Sequence, residues 1–190
     1  MTKSERLKIL MDSGRTVFTP LDLRLLWQES ERNAKVNAVR MVERKIIIRL
    51  SKGYYALNQK YNPYELANRI ITPSYVSFQS ALAFAGVSFQ NRKEIGSVAG
   101  LNYRKKIGDT AYIYYTMKKL LLFSMEGIFT RDGVTIASPE RAILDSFYFN
   151  FLPDIDNEEK LNKEYLLKLS VLYPKTVQEK AKKFYERTVQ

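Results

Sequence analysis

Hydrophobic and polar positions alternate with two different periods along the first sixty residues. From Ser4 to Asp12 the spacing is helical, with Leu7, Ile9, Leu10 and Met11 on the apolar side and Ser13-Gly14 ending the run. Thr16-Val17-Phe18 reads as a short extended piece that pairs with a later strand. Thr19 caps a second helix that runs to about Gln28. Pro20 suits its first position, Asp22 complements its dipole, and Leu23, Leu26 and Trp27 face inward. Ser30 caps a third. At about 3.6 residues per turn, Ala34, Ala38, Met41 and Val42 gather on one side of it, with Val39 at the edge, and Asn33, Asn37, Arg40 and Arg44 gather opposite. The period then changes to two. Ile46, Ile48 and Leu50 alternate with Ile47 and Arg49, Ser51-Lys52-Gly53 reads as a hairpin turn, and Tyr54 to Leu57 as the returning strand.

Tyr61-Asn62-Pro63 marks a boundary, which places one domain at 1–60 and a second at 61–190. Pro63 starts a helix that ends at Thr72-Pro73, and Ser77 to Ala85 is another, stopped by Gly86. Ile95–Val98, Ala111–Met117 and Leu120–Met125 are strand candidates. Phe129 to Ile136 reads as a hairpin turning at Asp132-Gly133. Ser138-Pro139-Glu140 opens a helix through Phe147, with Ile143, Leu144 and Phe147 inward. The aromatic run at 147–152 is a core or interface signal, with core favoured. Residues 157–168 and 176–188 read as two polar helices, the second opened by a capping box of Thr176 and Glu179.

Helix, short strand, helix, turn, helix and hairpin is the order of a winged helix-turn-helix. The expected fold is therefore α+β: an N-terminal winged helix-turn-helix, then a mixed α/β domain with a small, mostly antiparallel sheet and C-terminal helices.

Composition sharpens this picture. The chain of 190 residues has a net charge of +11 and 45% hydrophobic residues, enough for a real core. Charge is uneven: residues 1–60 hold 13 Lys and Arg against 6 Asp and Glu, and residues 61–190 hold 18 against 14. A basic domain is the footprint of a nucleic-acid binder, and it also suits an anionic surface or acidic partner. With no Cys and no His, disulfides, thiolate chemistry, Ser-His-Asp catalysis and His-based zinc sites are excluded within the chain. No cofactor is expected. No signal peptide or membrane-spanning run is read, so a soluble, cytoplasmic protein is expected.

Candidate chemistry follows the charge. Asn and Arg can make bidentate contacts to base edges, and Arg and Lys pair with phosphate. Asn37 and Arg40 are expected to read bases, alongside Asn33 and Lys35. Arg44, Lys45, Arg49 and Lys52 are expected to position the domain on double-stranded DNA. A plain solvated helix face is the bland alternative. Arg92, Lys93, Arg104, Lys105, Lys106, Lys118 and Lys119 lie near aromatics and form a second candidate nucleic-acid surface, although lysines also guard ordinary edge strands. Pro153-Asp154 followed by Glu158-Glu159-Lys160 faintly echoes a metal-dependent nuclease, but the spacing is too short for two strands, and a non-enzyme is expected.

Three segments, RLSKGYYALN at 49–58, ITPSYVSFQSALAFAGV at 71–87 and VTIASPERAILDSFY at 134–148, together resemble the AbiEi-type antitoxins of type IV toxin–antitoxin (abortive infection) systems. The resemblance runs from the first helix to about Phe151. Its most specific parts are Tyr75–Ser77 with Ser80-Ala81-Leu82, and Ser138 to Ala142. One departure is Ala85, where members often carry His. The resemblance implies a winged-helix repressor that binds inverted repeats in its own promoter. It also implies a C-terminal domain that helps counteract a nucleotidyltransferase-like toxin, with or without a stable complex. A transcription factor unconnected to a toxin is the alternative reading.

Overall fold

The structure, a computed structural model, describes residues 1–90 and 93–189. The fold is α+β, and the chain divides into two compact units, Met1–Ile70 and Ile71–Gln190.

In the first unit, helix α1 (Lys3–Asp12) leads to strand β1 (Val17–Phe18), helices α2 (Pro20–Trp27) and α3 (Glu31–Glu43), strands β2 (Ile48–Ser51) and β3 (Tyr54–Ala56), and helix α4 (Pro63–Ile70). Caps set the boundaries. Thr2 with Glu5 and Thr19 with Asp22 form reciprocal capping boxes, which satisfy free N–H groups at each helix start. The three strands order as β1-β3-β2, all antiparallel. Leu10, Phe18, Leu23, Trp27, Ala34, Ala38, Met41, Ile47 and Tyr55 close around one apolar core. Two apolar expectations change. Met11 is exposed, because α1 buries only Leu10 fully. Ile47 is buried just ahead of β2, although strict alternation would have set it on the side of Arg49. Helix α4, read from sequence as the start of the second domain, belongs to the first unit. Its buried Glu65 accepts from both the N–H and the hydroxyl of Thr16, at 2.9 and 2.6 Å.

The second unit is built on a six-stranded sheet in the order β6-β7-β5-β4-β9-β8. The strands are β4 (Ser74–Val76), β5 (Glu94–Ala99), β6 (Tyr103–Ile107), β7 (Thr110–Thr116), β8 (Ile128–Arg131) and β9 (Val134–Ala137). It is a mixed sheet: β5 with β7 and β4 with β9 are parallel, and the other three pairings are antiparallel. The Asp132-Gly133 hairpin forms as expected, both residues taking the positive φ that such a turn requires (50° and 75°). Helices α5 (Phe78–Phe84), α6 (Lys119–Leu122), α7 (Pro139–Tyr148), α8 (Lys163–Ser170) and α9 (Lys175–Val189) complete the unit.

Five readings change here. The stretch Leu120–Met125 is not a strand but the short helix α6 and its exit, since the four consecutive apolar residues Leu120 to Phe123 carry no period to decide between the two. Strand β4, three residues between Pro73 and α5, went unread because it is too short to show alternation. Residues 157–168 form a short 3-10 turn at Glu158–Lys160 and then α8, capped by Asn162. Thr176 lies inside α9, which starts at Lys175, so it is not a cap. The aromatic run 147–152 is not core either. None of its six residues is buried, and Leu152 is 91% exposed. Among the described residues, no helix is long and apolar enough to cross a membrane.

Candidate nucleic-acid interface

Helix α3 begins at Ser30, whose hydroxyl accepts from the Asn33 N–H at 3.2 Å. It buries Ala34, Ala38 and Met41, and the two alanines let it lie close against the core. Its remaining surface decides what it can touch. Asn33, Lys35 and Arg40 are exposed. Lys35 is engaged by Glu31, four residues back, at 2.5 Å. Asn37 differs from the others. It is half-buried, and its amide Nδ2 donates to Glu29 Oε2 at 2.8 Å, while Glu29 Oε1 receives Arg6 at 2.5 and 3.0 Å. Burial alone would push the Glu29 carboxyl up, but hydrogen bonds from Arg6 and Asn37 and the Arg6 charge hold it below its ordinary value. Asn37 is thus a strut between α3 and the Arg6–Glu29 pair, and the two residues expected to read bases part company.

At the end of α3, Arg44 forms the C-cap and Lys45 takes a left-handed conformation at φ 57°. Both are exposed. Arg40, Arg44, Lys45 and Lys52 form no ion pair among the described residues. Arg49, on β2, is exposed and its Nε donates to the Ser51 carbonyl at 3.4 Å, within its own hairpin. Lys52 stands at the hairpin turn. Sequence reasoning set Val39 at the edge of the apolar side and passed over Val36; the two are 45% and 41% exposed on the same helix. The available signal was that neither falls on the Ala34-Ala38-Met41 stripe.

The second candidate surface is dispersed. Arg104 and Lys106 alternate with Lys105 along β6, so the first two share a face and the third points away. Arg104 pairs with Glu94 at 3.3 Å and Lys93 with Asp109 at 3.8 Å. Lys118 and Lys119 are exposed on a different element, at the start of α6. Arg92 lies outside the described residues.

Two of the three segments that carry the family resemblance, 71–87 and 134–148, meet in the interior of the second unit. Arg141 of α7 is fully buried. Its guanidinium donates to the carbonyls of Leu121 (2.7 Å) and Glu126 (3.1 Å) and to the Tyr75 hydroxyl (3.3 Å). Its Nε lies 3.4 Å from Asp145 Oδ1, an ion contact rather than an aligned hydrogen bond. Asp145 also accepts from Tyr173 (2.5 Å) and Ser77 (2.7 Å). Burial works against the charged guanidinium, yet the Asp145 carboxylate and the two tyrosine oxygens raise Arg141 above its ordinary value. Burial pushes the Asp145 carboxyl up, against the pull of Arg141 and the donated hydroxyls. The Tyr75 and Tyr173 phenols are raised by burial and by Asp145. This cluster joins β4, α7 and the turn before α9 without opening to solvent. The i,i+4 spacing of Arg141 and Asp145 was its sequence signal.

Asp154 lies in irregular chain and Glu158–Lys160 in a 3-10 turn, so neither half of the nuclease-like echo sits on a strand. Among the described residues, no group of three or more Asp or Glu is placed to hold a metal ion. No family model matches this chain, and no curated protein matches it either.

Proposed function

We propose that this chain is a DNA-binding transcriptional repressor of its own operon and the antitoxin of a type IV pair, with its first unit a winged helix-turn-helix. In this reading α3 is the recognition helix and the β2–β3 hairpin the wing. The observation that carries it is the set of exposed cations Arg40, Arg44, Lys45 and Lys52, unpaired among the described residues, which belong to α3, its exit and the hairpin turn. Surface cations are ordinarily screened or paired; cations left unpaired on a capped helix and the adjoining hairpin suit a line of phosphates. Arg40 is the base reader, with Asn33 beside it. Arg44, Lys45, Arg49 and Lys52 hold the backbone. Asn37 sets the angle of α3 rather than reading a base.

The antitoxin half rests on the family resemblance, and so does the partner, a nucleotidyltransferase-like toxin. A repressor unconnected to a toxin would look the same in this chain. The neighbouring gene separates the two: a nucleotidyltransferase-like reading frame beside it favours the antitoxin, and co-expression then rescues cells from that toxin. The reading places the protein in the cytoplasm, where its operator is.

The test is a salt titration of binding to the duplex upstream of the gene, against a scrambled duplex. Four or five phosphate contacts per protomer give a slope of log K against log salt of about −4. Equal, weak binding to both duplexes would remove the repressor reading.

A further inference from the structure

The second unit holds an aromatic hollow that the operator reading does not use. A cavity of about 500 Å³ is lined by Phe78, Glu94, Gly96, Tyr115, Asn150 and Phe151, among others. It lies on the sheet face that carries Arg104 and Lys106. Gly96 and Arg104 both pair with Ile113, and Glu94 and Lys106 both pair with Ala111. Tyr115 stands two residues beyond Ile113, so these positions share a face.

Two features mark the hollow as built. Phe78 sits at φ 55°, in the left-handed region that a bulky aromatic rarely takes. Its ring lies edge-on to Tyr115 and Phe151, with centroids 5.2 and 5.5 Å away. Gly96 supplies the room, since a Cβ there would lie 2.9 Å from Phe78 Cδ2. Polar groups ring the aromatics. The Tyr115 phenol is raised by burial and by Glu94, which keeps it a neutral donor. Asn150 Oδ1 is engaged by Lys180 at 2.6 Å, leaving its amide N–H groups to donate. At the rim the Glu94 carboxylate pairs with Arg104.

We propose that this hollow takes an amino-bearing nucleobase presented by a single-stranded nucleic acid. Aromatic rings offer a flat base stacking contacts that tolerate any sequence. A carboxylate adds a preference, because it accepts from the exocyclic amino group of adenine or cytosine. Uracil and thymine have none to give. Arg104 and Lys106, next but one on the edge strand, stand about 6.6 Å apart. They continue the positive charge past the hollow, which suits successive phosphates of a strand better than one free nucleotide. A duplex keeps its base faces stacked, so the base must come from single strand or loop.

The experiment is fluorescence anisotropy of the full chain with labelled dodecamers of rA, rC and rU, with AMP as competitor. The rA and rC strands bind about tenfold tighter than rU, and Phe151→Ala, a change at a surface ring, weakens them about tenfold. Glu94→Leu removes the preference for rA over rU. The double variant Arg40→Ala/Arg44→Ala, which disables the operator face, binds rA as the wild type does. Equal binding of all three strands, or loss in the Arg40/Arg44 variant but not in Phe151→Ala, overturns the proposal. Competition by AMP as effective as by unlabelled rA overturns the strand in favour of a free nucleotide.

Discussion

Arg40 and Arg141 make an instructive pair. Each stands on a helix capped by a serine, Ser30 for α3 and Ser138 for α7. Arg40 is exposed and has no ion pair among the described residues. Arg141 is sealed off, with two carbonyls, a phenol and a carboxylate around its guanidinium. The first is left open to an anion from outside; the second has already met its anion. Two of the three motif-like segments, 71–87 and 134–148, build the interior of the second unit, and the third, 49–58, is the β2–β3 hairpin of the first. The candidate DNA face sits in a stretch whose residue types are ordinary.

The contrast is broken most severely at Arg141. Truncating one partner of a buried pair leaves the other charge uncompensated, so Arg141→Ala should cost about 3–5 kcal/mol of stability by urea unfolding. Arg141→Ala with Asp145→Ala should cost clearly less than the sum of the two single changes. A loss under about 1 kcal/mol for Arg141→Ala would mean that the cluster is not what holds β4 to α7.

Glu29 stands between Arg40 and Arg141 in burial. Glu29 is an anion that the first unit keeps for itself, between Arg6 and Asn37. Glu29→Gln should cost about 1–2 kcal/mol, less than at Arg141 because the pair is partly solvated. Its folded carboxyl lies below the ordinary glutamate value. The stability it contributes is therefore present above that ordinary value and is lost as pH falls through the lowered one. Thermal unfolding between neutral pH and about pH 3 should show this increment in the wild type and not in Glu29→Gln.

The smallest effect belongs to the hairpin. Lys52→Ala should leave the melting temperature unchanged, weaken all duplexes alike and reduce the salt slope by about 1. A change in sequence preference instead would move Lys52 from the backbone to a base.

How much of this was legible depended on whether a residue's neighbours were local. Thr19, Ser30 and Ser138 act within one helical turn, and their caps were read correctly. The β2–β3 hairpin and the Asp132-Gly133 turn are local as well. Arg141 was legible only as a motif residue, because Tyr75 and Tyr173 reach it from 66 and 32 positions away in sequence. The partner of Asn37 was hidden for the same reason: Glu29 lies on the turn before α3, and the helical wheel shows only α3 itself. Leu120 to Phe123 had no polar interruption from which to read a period.

In the proposed reading Arg40 acts outward and on sequence. The measurement is the affinity of wild type and Arg40→Ala for the upstream duplex and its scrambled control, with thermal unfolding of both proteins alongside. Arg40→Ala should lose about 1–3 kcal/mol on the upstream duplex, much less on the scrambled one, and nothing in melting temperature. Wild-type affinity in Arg40→Ala, or equal loss on both duplexes, would contradict the assignment of α3 as the helix that reads DNA.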